Sequence, residues 1–392
     1  MIDLWVLAAW LLTDVLATCG VWHYRRNVAM IAPSPQTPKV AVLTAIKGVS
    51  ETTPRFLDAL CRQQYPGYRL VFALESSSDP VFPLLEAMQQ RLMGSIPVDI
   101  VIAGQATQRA QKVHNLLAAL RTLQADDRIV AFADADILPD EGWLSHLVRP
   151  VAHDGFAAST GYRWQLPTDR RWPNLIAAAA DLSIATAVRS ARWNVCWGGS
   201  VALDRAALNQ IDLPRVWNRA ASDDLTLTAA LRAHGSRINA PLHLLVPSPA
   251  AYDWSRLFSF ARRQYLLVRI YSPGHWLLAG WTLCLPAVAM TIAIREICGG
   301  RWWAWSFILG SVALLQVRLL IRRRIADLLL PQAAIPAARA TLTFARWAWP
   351  LIHVVHLGAF LASAVGQRFT WAGIRYRLNG RSASVERRAG EA

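Results

Sequence analysis

Three long apolar segments constrain what this chain of 392 residues can fold into. They run from Leu4 to Tyr24, from Trp276 to Ile294 and from Trp302 to Leu320. As a helix, each segment is about long enough to cross the ~30 Å hydrocarbon core of a bilayer. The chain is 54% apolar and only 17% charged, whereas charged residues make up roughly 25% of ordinary soluble domains. We therefore predict a membrane protein.

Basic residues accompany these segments and predict their orientation. The net charge is +15, and arginines cluster at Arg25-Arg26, at Arg322–Arg324 and along the C-terminal tail. This placement follows the rule that the cytoplasmic flanks of membrane helices are basic. No zinc-finger or helix-turn-helix pattern accompanies the charge, so nucleic acid is not an expected partner. The sequence predicts a multi-pass protein of the inner or cytoplasmic membrane, with its globular region facing the cytoplasm.

The apolar segments also predict where the domains begin and end. Residues 1–24 indicate an N-terminal anchor and not a cleaved signal peptide, because Asp3 precedes the apolar run and the arginines follow it. Residues 33–275 form the predicted globular domain, which begins at a linker marked by Pro33, Pro35 and Pro38. Residues 276–320 form a predicted transmembrane hairpin.

The C-terminal part of the chain, residues 321–392, allows two topologies. It contains a further apolar stretch, 345–365, and a single crossing there would carry the arginine-rich tail to the outside. Either residues 325–338 also cross the membrane, or the final helix lies along the interface. We predict interfacial or re-entrant helices followed by a basic cytoplasmic tail.

Strand and helix patterns alternate through the globular region. Four short apolar runs indicate buried parallel strands, at residues 40–43, 70–74, 98–102 and 129–133. Helical patterns lie between them, at residues 54–64, 83–93 and 113–124. Such alternation predicts an α/β domain in which helices cross over between the strands of one sheet.

Two carboxylates, Asp134 and Asp136, follow the last of these strands with one small residue between them. Ligands in open α/β sheets bind beyond the carboxyl ends of the strands. Paired carboxylates there can hold a hard divalent cation, which in turn neutralises a diphosphate. An Asp-x-Asp pattern alone is often only a solvated turn, so its position after a buried strand carries the prediction.

Three further motifs follow downstream. The paired glycines Gly198-Gly199, after Trp197, would let the backbone approach a ligand closely or simply form a turn. The acids Asp223-Asp224 begin a helical pattern; one acid would serve as a cap, whereas two allow one of them to act as a general base. Arg263, just before the second apolar segment, is either a topology signal or a bidentate partner for a diphosphate, with Tyr265 beside it.

The order of these motifs resembles family 2 glycosyltransferases, in particular the ceramide glucosyltransferase-like branch, which includes bacterial enzymes associated with hopanoid glycosylation. The resemblance covers roughly residues 40–271 and extends to the tail. It rests on Lys47-Gly48, Asp134-Ala135-Asp136, Gly198-Gly199-Ser200, Ser222-Asp223-Asp224, Arg263-Gln264-Tyr265 and the closing stretch from Trp371 to Leu378.

The resemblance implies a nucleotide-binding glycosyltransferase A-type α/β domain with flanking transmembrane helices. The implied activity is a metal-dependent, inverting hexosyl transfer from a nucleotide sugar, expected to be a UDP-sugar, to a ceramide- or hopanoid-like lipid hydroxyl. Magnesium or manganese is the implied cofactor, and the implied pathway is glycolipid biosynthesis. The alternatives are a polysaccharide synthase, which the small C-terminal membrane part disfavours, and a degenerate nonenzymatic membrane scaffold, which the survival of both acidic motifs disfavours.

Site residues follow from the resemblance position by position. Asp134 and Asp136 would meet the metal, and Asp224, next to Asp223, would be the catalytic base. Arg263 would stabilise the leaving group. The implied substrate-binding residues are Lys47, Glu75, Asp79, Lys112, Trp197, Gly198, Gly199, Gln264 and Tyr265.

The sequence departs from the family pattern in three places. His114 stands where the family has the first Asn of its Lys-x-Asn-Asn-Leu motif. The first acidic motif has lost its central acids, which leaves open whether Glu75 or Asp79 meets the nucleotide base. The motif before the membrane has become Ala261-Arg262-Arg263-Gln264-Tyr265, without the family's Trp. These changes bear on the identity of the donor more than on the class of reaction.

Overall fold

The computed structural model describes residues 2–29 and 37–389. Pro33 and Pro35 of the predicted linker lie outside these ranges. The chain divides into two compact units, and neither is contiguous in sequence. The helical unit comprises Met1–Val28, Trp164–Val188 and Ala250–Val365, and the sheet unit comprises Ala29–Arg163, Arg189–Pro249 and Gly366–Ala392. The boundaries predicted from the apolar segments are contiguous, so they differ from these units.

The described residues form twelve strands and thirteen α-helices. The strands are β1 Val40–Ala45, β2 Tyr68–Leu74, β3 Val98–Ile102, β4 Ile129–Ala133, β5 Ala158–Thr160, β6 Tyr162–Pro167, β7 Ser200–Asp204, β8 Ile238–Asn239, β9 Leu245–Ala250, β10 Arg368–Trp371, β11 Ile374–Asn379 and β12 Ser382–Arg388. The helices are α1 Ile2–Asn27, α2 Thr53–Cys61, α3 Phe82–Arg91, α4 Gln111–Leu120, α5 Trp143–Ala152, α6 Trp172–Ala185, α7 Arg205–Gln210, α8 Leu213–Val216, α9 Asp223–Ala233, α10 Trp254–Tyr271, α11 Pro273–Cys298, α12 Ala304–Leu329 and α13 Ile335–Ser363.

A seven-stranded sheet in the order β3-β2-β1-β4-β7-β5-β8 is the frame of the sheet unit. The four strands predicted from the sequence, β1 to β4, are present and parallel. Strand β7 runs antiparallel to β4 and pairs Ser200 with Ala133. The chain moves outward in one direction from β1 to β3 and in the other to β4. A crevice that can hold a ligand therefore opens beyond the carboxyl ends of β1 and β4.

Apolar side chains on the central strands and the crossover helices form one large core. It includes Phe56 and Leu60 of α2, Leu70 and Phe72 of β2, and Trp143 of α5. A buried arginine, Arg69, lies near the amino end of β2, opposite the crevice at the carboxyl ends of the strands. It forms an ion pair with the buried carboxylate of Asp127 at 2.6 Å. This pair ties the start of β2 to the turn before β4, and both strands lead toward the crevice.

The C-terminal residues 368–388, predicted from the sequence as part of a basic tail, form a separate antiparallel sheet of three strands. Buried and exposed positions alternate along β11, where Ile374, Tyr376 and Leu378 are buried. Gly380, with φ of 58°, makes the turn to β12. The arginines between the buried residues face solvent, so a basic segment can still pack one apolar face. By its contacts this sheet belongs to the sheet unit.

Three helices of the helical unit, α1, α11 and α12, are long and apolar enough to cross a membrane, each with 26 residues. Helices α1 and α11 contain the first two predicted apolar segments, and α12 contains the third except for Trp302 and Trp303, which precede it. Helix α13 is continuous over 29 residues. Its Phe344 and Ala348 pack against Leu175, Ile176 and Leu257 of α6 and α10. The interfacial or re-entrant position of this segment stays a prediction.

An ion pair between Asp14 and Arg318 joins α1 to α12, and both residues lie within the apolar segments of these helices. The Arg318 Nη1 and Asp14 Oδ1 atoms are 2.8 Å apart, and both side chains are largely buried. Ser311 donates a hydrogen bond to the second Asp14 oxygen, and Arg318 also donates to the Asp14 carbonyl at 2.9 Å. Charges in membrane helices are costly unless they are paired. No pattern in the sequence predicted this pair.

Replacing Asp14 with alanine is expected to destabilise the protein because it leaves the Arg318 charge buried and unpaired. The expected loss is about 3 kcal/mol in the free energy of unfolding. Thermal or denaturant unfolding of the detergent-solubilised protein measures it. The double variant Asp14→Ala/Arg318→Met is expected to recover part of that loss.

Asp3→Ala is the matched control, because Asp3 lies on the same helix in an exposed ion pair with Arg295. It is expected to change stability little. Equal stability of Asp14→Ala and the wild type would contradict the prediction.

Candidate active site

The candidate site lies at the carboxyl ends of the central parallel strands. Lys47 follows β1, Glu75 follows β2, and Asp134 and Asp136 follow β4. The backbone N–H of Asp134 donates to the carbonyl of Gly199 at 3.3 Å, which brings the paired glycines beside the carboxylates. Segments that are distant in sequence therefore meet at one edge of the sheet.

Lys112 of α4 is the centre of the charged cluster. Its Nζ lies 2.6 Å from Asp134 Oδ1 and 2.9 Å from Asp223 Oδ2. The side chains of Lys112 and Asp223 are 14% and 11% exposed, and that of Asp134 is 26% exposed. One ammonium group thus joins the end of β4, helix α4 and the start of helix α9. Charge-assisted hydrogen bonds of this kind are short and strong.

The cluster holds more negative than positive charge. Burial alone would lower the pKa of Lys112, but the charges of Asp134, Asp223 and Asp224 outweigh it and raise that pKa. Burial, together with the charges of Asp136 and Asp223 and against the pull of Lys112, raises the pKa of Asp134 to about 6. Burial and the neighbouring Asp223 also raise the pKa of Asp224. A further cation would relieve this excess of negative charge.

Ser222 and Asp224 hold the start of α9 in a defined geometry. Ser222 is the N-cap, and its hydroxyl accepts a hydrogen bond from the backbone N–H of Leu225 at 3.2 Å. Asp224 Oδ1 accepts from the same N–H at 2.7 Å, and Asp224 Oδ2 accepts from the N–H of Gly198 at 3.4 Å. Because a serine already caps the helix, the ion pair of Asp223 with Lys112 is not a requirement of capping.

The paired glycines are needed for space. A Cβ atom on Gly198 would lie 2.2 Å from Asp223 Oδ2 and 3.0 Å from Lys112 Nζ. A Cβ on Gly199 would lie 2.3 Å from the Trp197 ring. That ring in turn lies 5.5 Å from the ring of Tyr162. Glycine at both positions therefore lets the carboxylate cluster and the Trp197 ring pack against the backbone.

Asp79 and Glu75, the two residues predicted as alternatives for contact with the nucleotide base, differ in their surroundings. Asp79 Oδ1 accepts hydrogen bonds from the backbone N–H groups of Gly48 and Val81, at 2.8 and 3.0 Å, and so holds the loops after β1 and β2. Glu75 Oε2 lies 3.3 Å from Lys47 Nζ. Glu75 Oε1 lies 2.7 Å from Arg388 of the C-terminal sheet. Asp79 thus stabilises the backbone of two loops, whereas Glu75 forms an ion pair through each of its two oxygens.

One residue in these contacts, Arg388, was not singled out as a site residue from the sequence. Ser222 belongs to the Ser222-Asp223-Asp224 motif, and a serine directly before a helical pattern is a typical N-cap. Alternation of polar and apolar residues in 374–378 contained a signal for the C-terminal strands, but none for where they pack.

Three predicted site residues lie on α10, in the helical unit. The guanidinium of Arg263 lies 5.5 Å from the centre of the Phe260 ring. The hydroxyl of Tyr265 is 3.0 Å from Nδ1 of His356 on α13. Gln264 lies between them in sequence. The roles of these three residues in donor binding stay predictions.

The carboxylates of Asp134 and Asp136 are of the ligand type that magnesium and manganese prefer. Within residues 2–29 and 37–389, no group of three or more His, Cys, Asp or Glu side chains is arranged to hold a metal by itself. Magnesium in nucleotide sites is commonly held by one or two carboxylates together with substrate phosphates and water. The negative excess and the exposure of Asp136 fit that arrangement.

Comparisons with known proteins bear on this fold and site. The model of the family described as Glycosyl transferase family 21 matches residues 5–383. A search of curated proteins found no match. Among solved structures, the chain is similar to the mannosyltransferase PcManGT from Pyrobaculum calidifontis, which was solved in complex with GDP-Man and Mn2+.

The structural similarity extends over almost the whole of both chains. It covers 93% of this chain and 96% of the mannosyltransferase, with a TM-score of 0.54 and 17% sequence identity. At this level of identity the likeness concerns the fold. The predicted glycosyltransferase α/β domain with flanking apolar helices is thereby confirmed.

Replacing Gly198 with alanine is expected to lower glycosyl transfer by about a hundredfold, the scale that a misplacement of about 1 Å causes. The added methyl group would displace Asp223 and with it Lys112. Steady-state kinetics of the purified variant measures the effect. Gly67→Ala is the control, because a Cβ there meets its nearest atom at 3.8 Å. Full activity of Gly198→Ala would contradict the geometry.

Proposed function

This chain belongs to glycosyl transferase family 21, and from that premise we propose that it is a membrane-bound, inverting transferase. It moves a hexose from a nucleotide sugar to the hydroxyl group of a lipid. The observation that carries this proposal is the cluster of Lys112, Asp134, Asp223 and Asp224 at the ends of the central strands. The cluster combines a place for a diphosphate with a carboxylate able to accept a proton.

The donor half of the site is built for an anionic leaving group. Lys112 and Lys47 supply positive charge, and Asp134 and Asp136 would hold the divalent metal. When bound, magnesium or manganese supplies the charge that stabilises the departing nucleoside diphosphate. Glu75, between Lys47 and Arg388, lies in the region that the resemblance assigns to the nucleotide base. Following that resemblance, we propose a UDP-sugar as donor.

Asp224 is the proposed general base. Hydrogen bonds from Ser222, Leu225 and Gly198 hold its carboxylate in one orientation. Burial raises its pKa, which favours acceptance of a proton. The acceptor oxygen transfers its proton to Asp224 and attacks the anomeric carbon as the bond to the diphosphate breaks. A single displacement of this kind inverts the anomeric configuration. Asp223, bound to Lys112, positions the ammonium group.

A lipid acceptor is supported by the helices of the same chain. Helices α1, α11 and α12 are each able to span a bilayer by length and composition. Their basic flanks at Arg25-Arg26 and Arg322–Arg324 support a cytoplasmic location for the transferase domain in an inner or cytoplasmic membrane. The tail motif and the order of site residues support a ceramide- or hopanoid-like acceptor, as in the ceramide glucosyltransferase-like branch. We propose glycolipid biosynthesis as the pathway.

Replacing Asp224 with asparagine is expected to lower kcat by about a hundredfold to ten-thousandfold, because the amide cannot accept the proton. Binding of the donor is expected to persist, since the metal and phosphate residues remain. Transfer of radiolabelled sugar from nucleotide sugars to a membrane lipid extract, together with calorimetric titration of the nucleotide, separates the two effects.

Asp134→Asn is the complementary variant. It is expected to weaken metal-dependent nucleotide binding as well as turnover, because it removes a charge that holds the metal. Asp126→Asn is the matched control and is expected to behave as the wild type, because Asp126 is an exposed aspartate in the turn before β4, at the opposite end of that strand from Asp134. If the wild type binds no nucleotide sugar in the presence of magnesium or manganese, the proposed function is wrong. If it binds and hydrolyses the donor but labels no lipid, the proposed acceptor is wrong.

A further inference from the structure

The C-terminal sheet contacts the donor half of the site at several points. The N–H of Val385 on β12 donates to the carbonyl of Thr107 at 2.8 Å, and the N–H of Ala383 donates to the carbonyl of Arg219 at 2.7 Å. Thr107 lies just before α4, which carries Lys112, and Arg219 lies just before the segment that begins at Ser222. The sheet is therefore attached by backbone bonds to the two loops that lead into the charged cluster.

Arg388, at the end of β12, makes the most extensive side-chain contact. Its guanidinium donates to Glu75 Oε1 at 2.7 Å, to Gln111 Oε1 at 3.0 Å and to the carbonyl of Ala106 at 2.9 Å. The residue is 9% exposed. A planar guanidinium with fixed donors locks the positions of its acceptors, which a flexible ammonium group does less well.

The same sheet also fixes the start of α4. The N-cap residue of this helix, Ala110, has no side chain that could cap it. Instead, the N–H of Gln111 donates to the hydroxyl of Tyr376 on β11, at 3.1 Å. Tyr376 is fully buried and stacks on Phe369. The residue after Gln111 is Lys112, so the sheet supports the helix turn that presents the central ammonium group.

We propose that the C-terminal sheet forms one wall of the nucleotide subsite and that Arg388 is a positioning residue for Glu75. The inference rests on the proposed function, because it assigns a role within the donor site. Arg388 and Lys47 each neutralise one oxygen of the Glu75 carboxylate. A carboxylate offers about four lone-pair sites, so Glu75 can still accept hydrogen bonds from a nucleoside. Arg388 holds it in the orientation for that contact and offsets its repulsion of the diphosphate.

The test is titration of uridine diphosphate, with manganese present, into the detergent-solubilised full chain. Arg388→Ala is expected to weaken binding about tenfold, the scale of a lost hydrogen bond between charged groups. The KM for the donor is expected to rise while kcat at saturating donor stays close to that of the wild type. Arg388→Lys, which keeps the charge but not the fork, is expected to lie between the two.

Arg387→Ala is the matched control, since Arg387 is the preceding residue of the same strand and is exposed. It is expected to bind as the wild type. Glu75→Ala and the double variant Glu75→Ala/Arg388→Ala complete a double-mutant cycle with Arg388→Ala. Because Arg388 acts through Glu75, the two losses are expected to be much less than additive.

Each outcome of this experiment has a defined meaning. Additive losses, or binding by folded Arg388→Ala and Arg388→Lys equal to that of the wild type, would overturn the role of Arg388. A fall in kcat with an unchanged KM would do the same. If the wild type binds neither uridine nor guanosine diphosphate, the proposed function itself fails. Should Arg388→Ala not fold, Arg388→Lys decides the question: the proposal requires it to bind uridine diphosphate more weakly than the wild type does.

Discussion

The ion pairs of Lys112 are the interaction on which the candidate site depends. One ammonium group holds the carboxylates of Asp134 and Asp223, which would otherwise repel each other at the meeting point of a strand and two helices. The requirement for glycine at position 198 follows, because any side chain there would occupy the space of the Asp223 carboxylate. The remaining negative charge favours a cation at this place. In the proposed function, a diphosphate bound together with its metal would supply that cation.

Much of the fold could be predicted because its signals are local. The strands β1 to β4 are short apolar runs between helical patterns, and a parallel sheet buried on both faces needs that composition. The position of Asp134 and Asp136 at the carboxyl end of β4 could be predicted because they follow an apolar strand pattern directly. The three candidate membrane helices could be predicted from length and apolar composition. Helices α1 and α11 extend beyond their predicted segments at both ends, whereas α12 begins after its predicted start at Trp302 and continues beyond Leu320.

The rest depends on contacts between residues that are distant in sequence. Arg388 and Glu75 are separated by 313 positions, and no pattern near either residue indicates the other. The arginines of the tail were interpreted as a membrane signal, whereas in the structure they alternate with buried residues of a small sheet. Similarly, residues 164–188 lie within the predicted globular domain but pack with the helical unit. The alanine-rich helix α6 has an apolar surface that suits either environment, so its composition could not decide between them.

The pairing of Asp14 with Arg318 has a consequence for how the protein is made. The two residues are separated by 304 positions, so α1 leaves the ribosome long before its partner helix exists. An unpaired aspartate near the centre of a membrane helix opposes insertion by about 3 kcal/mol. In the proposed membrane arrangement, the first helix would therefore be held weakly during most of translation and would become stably anchored only after α12 has been inserted. Assembly of the helical unit would then depend on Arg318, a residue of the last third of the chain.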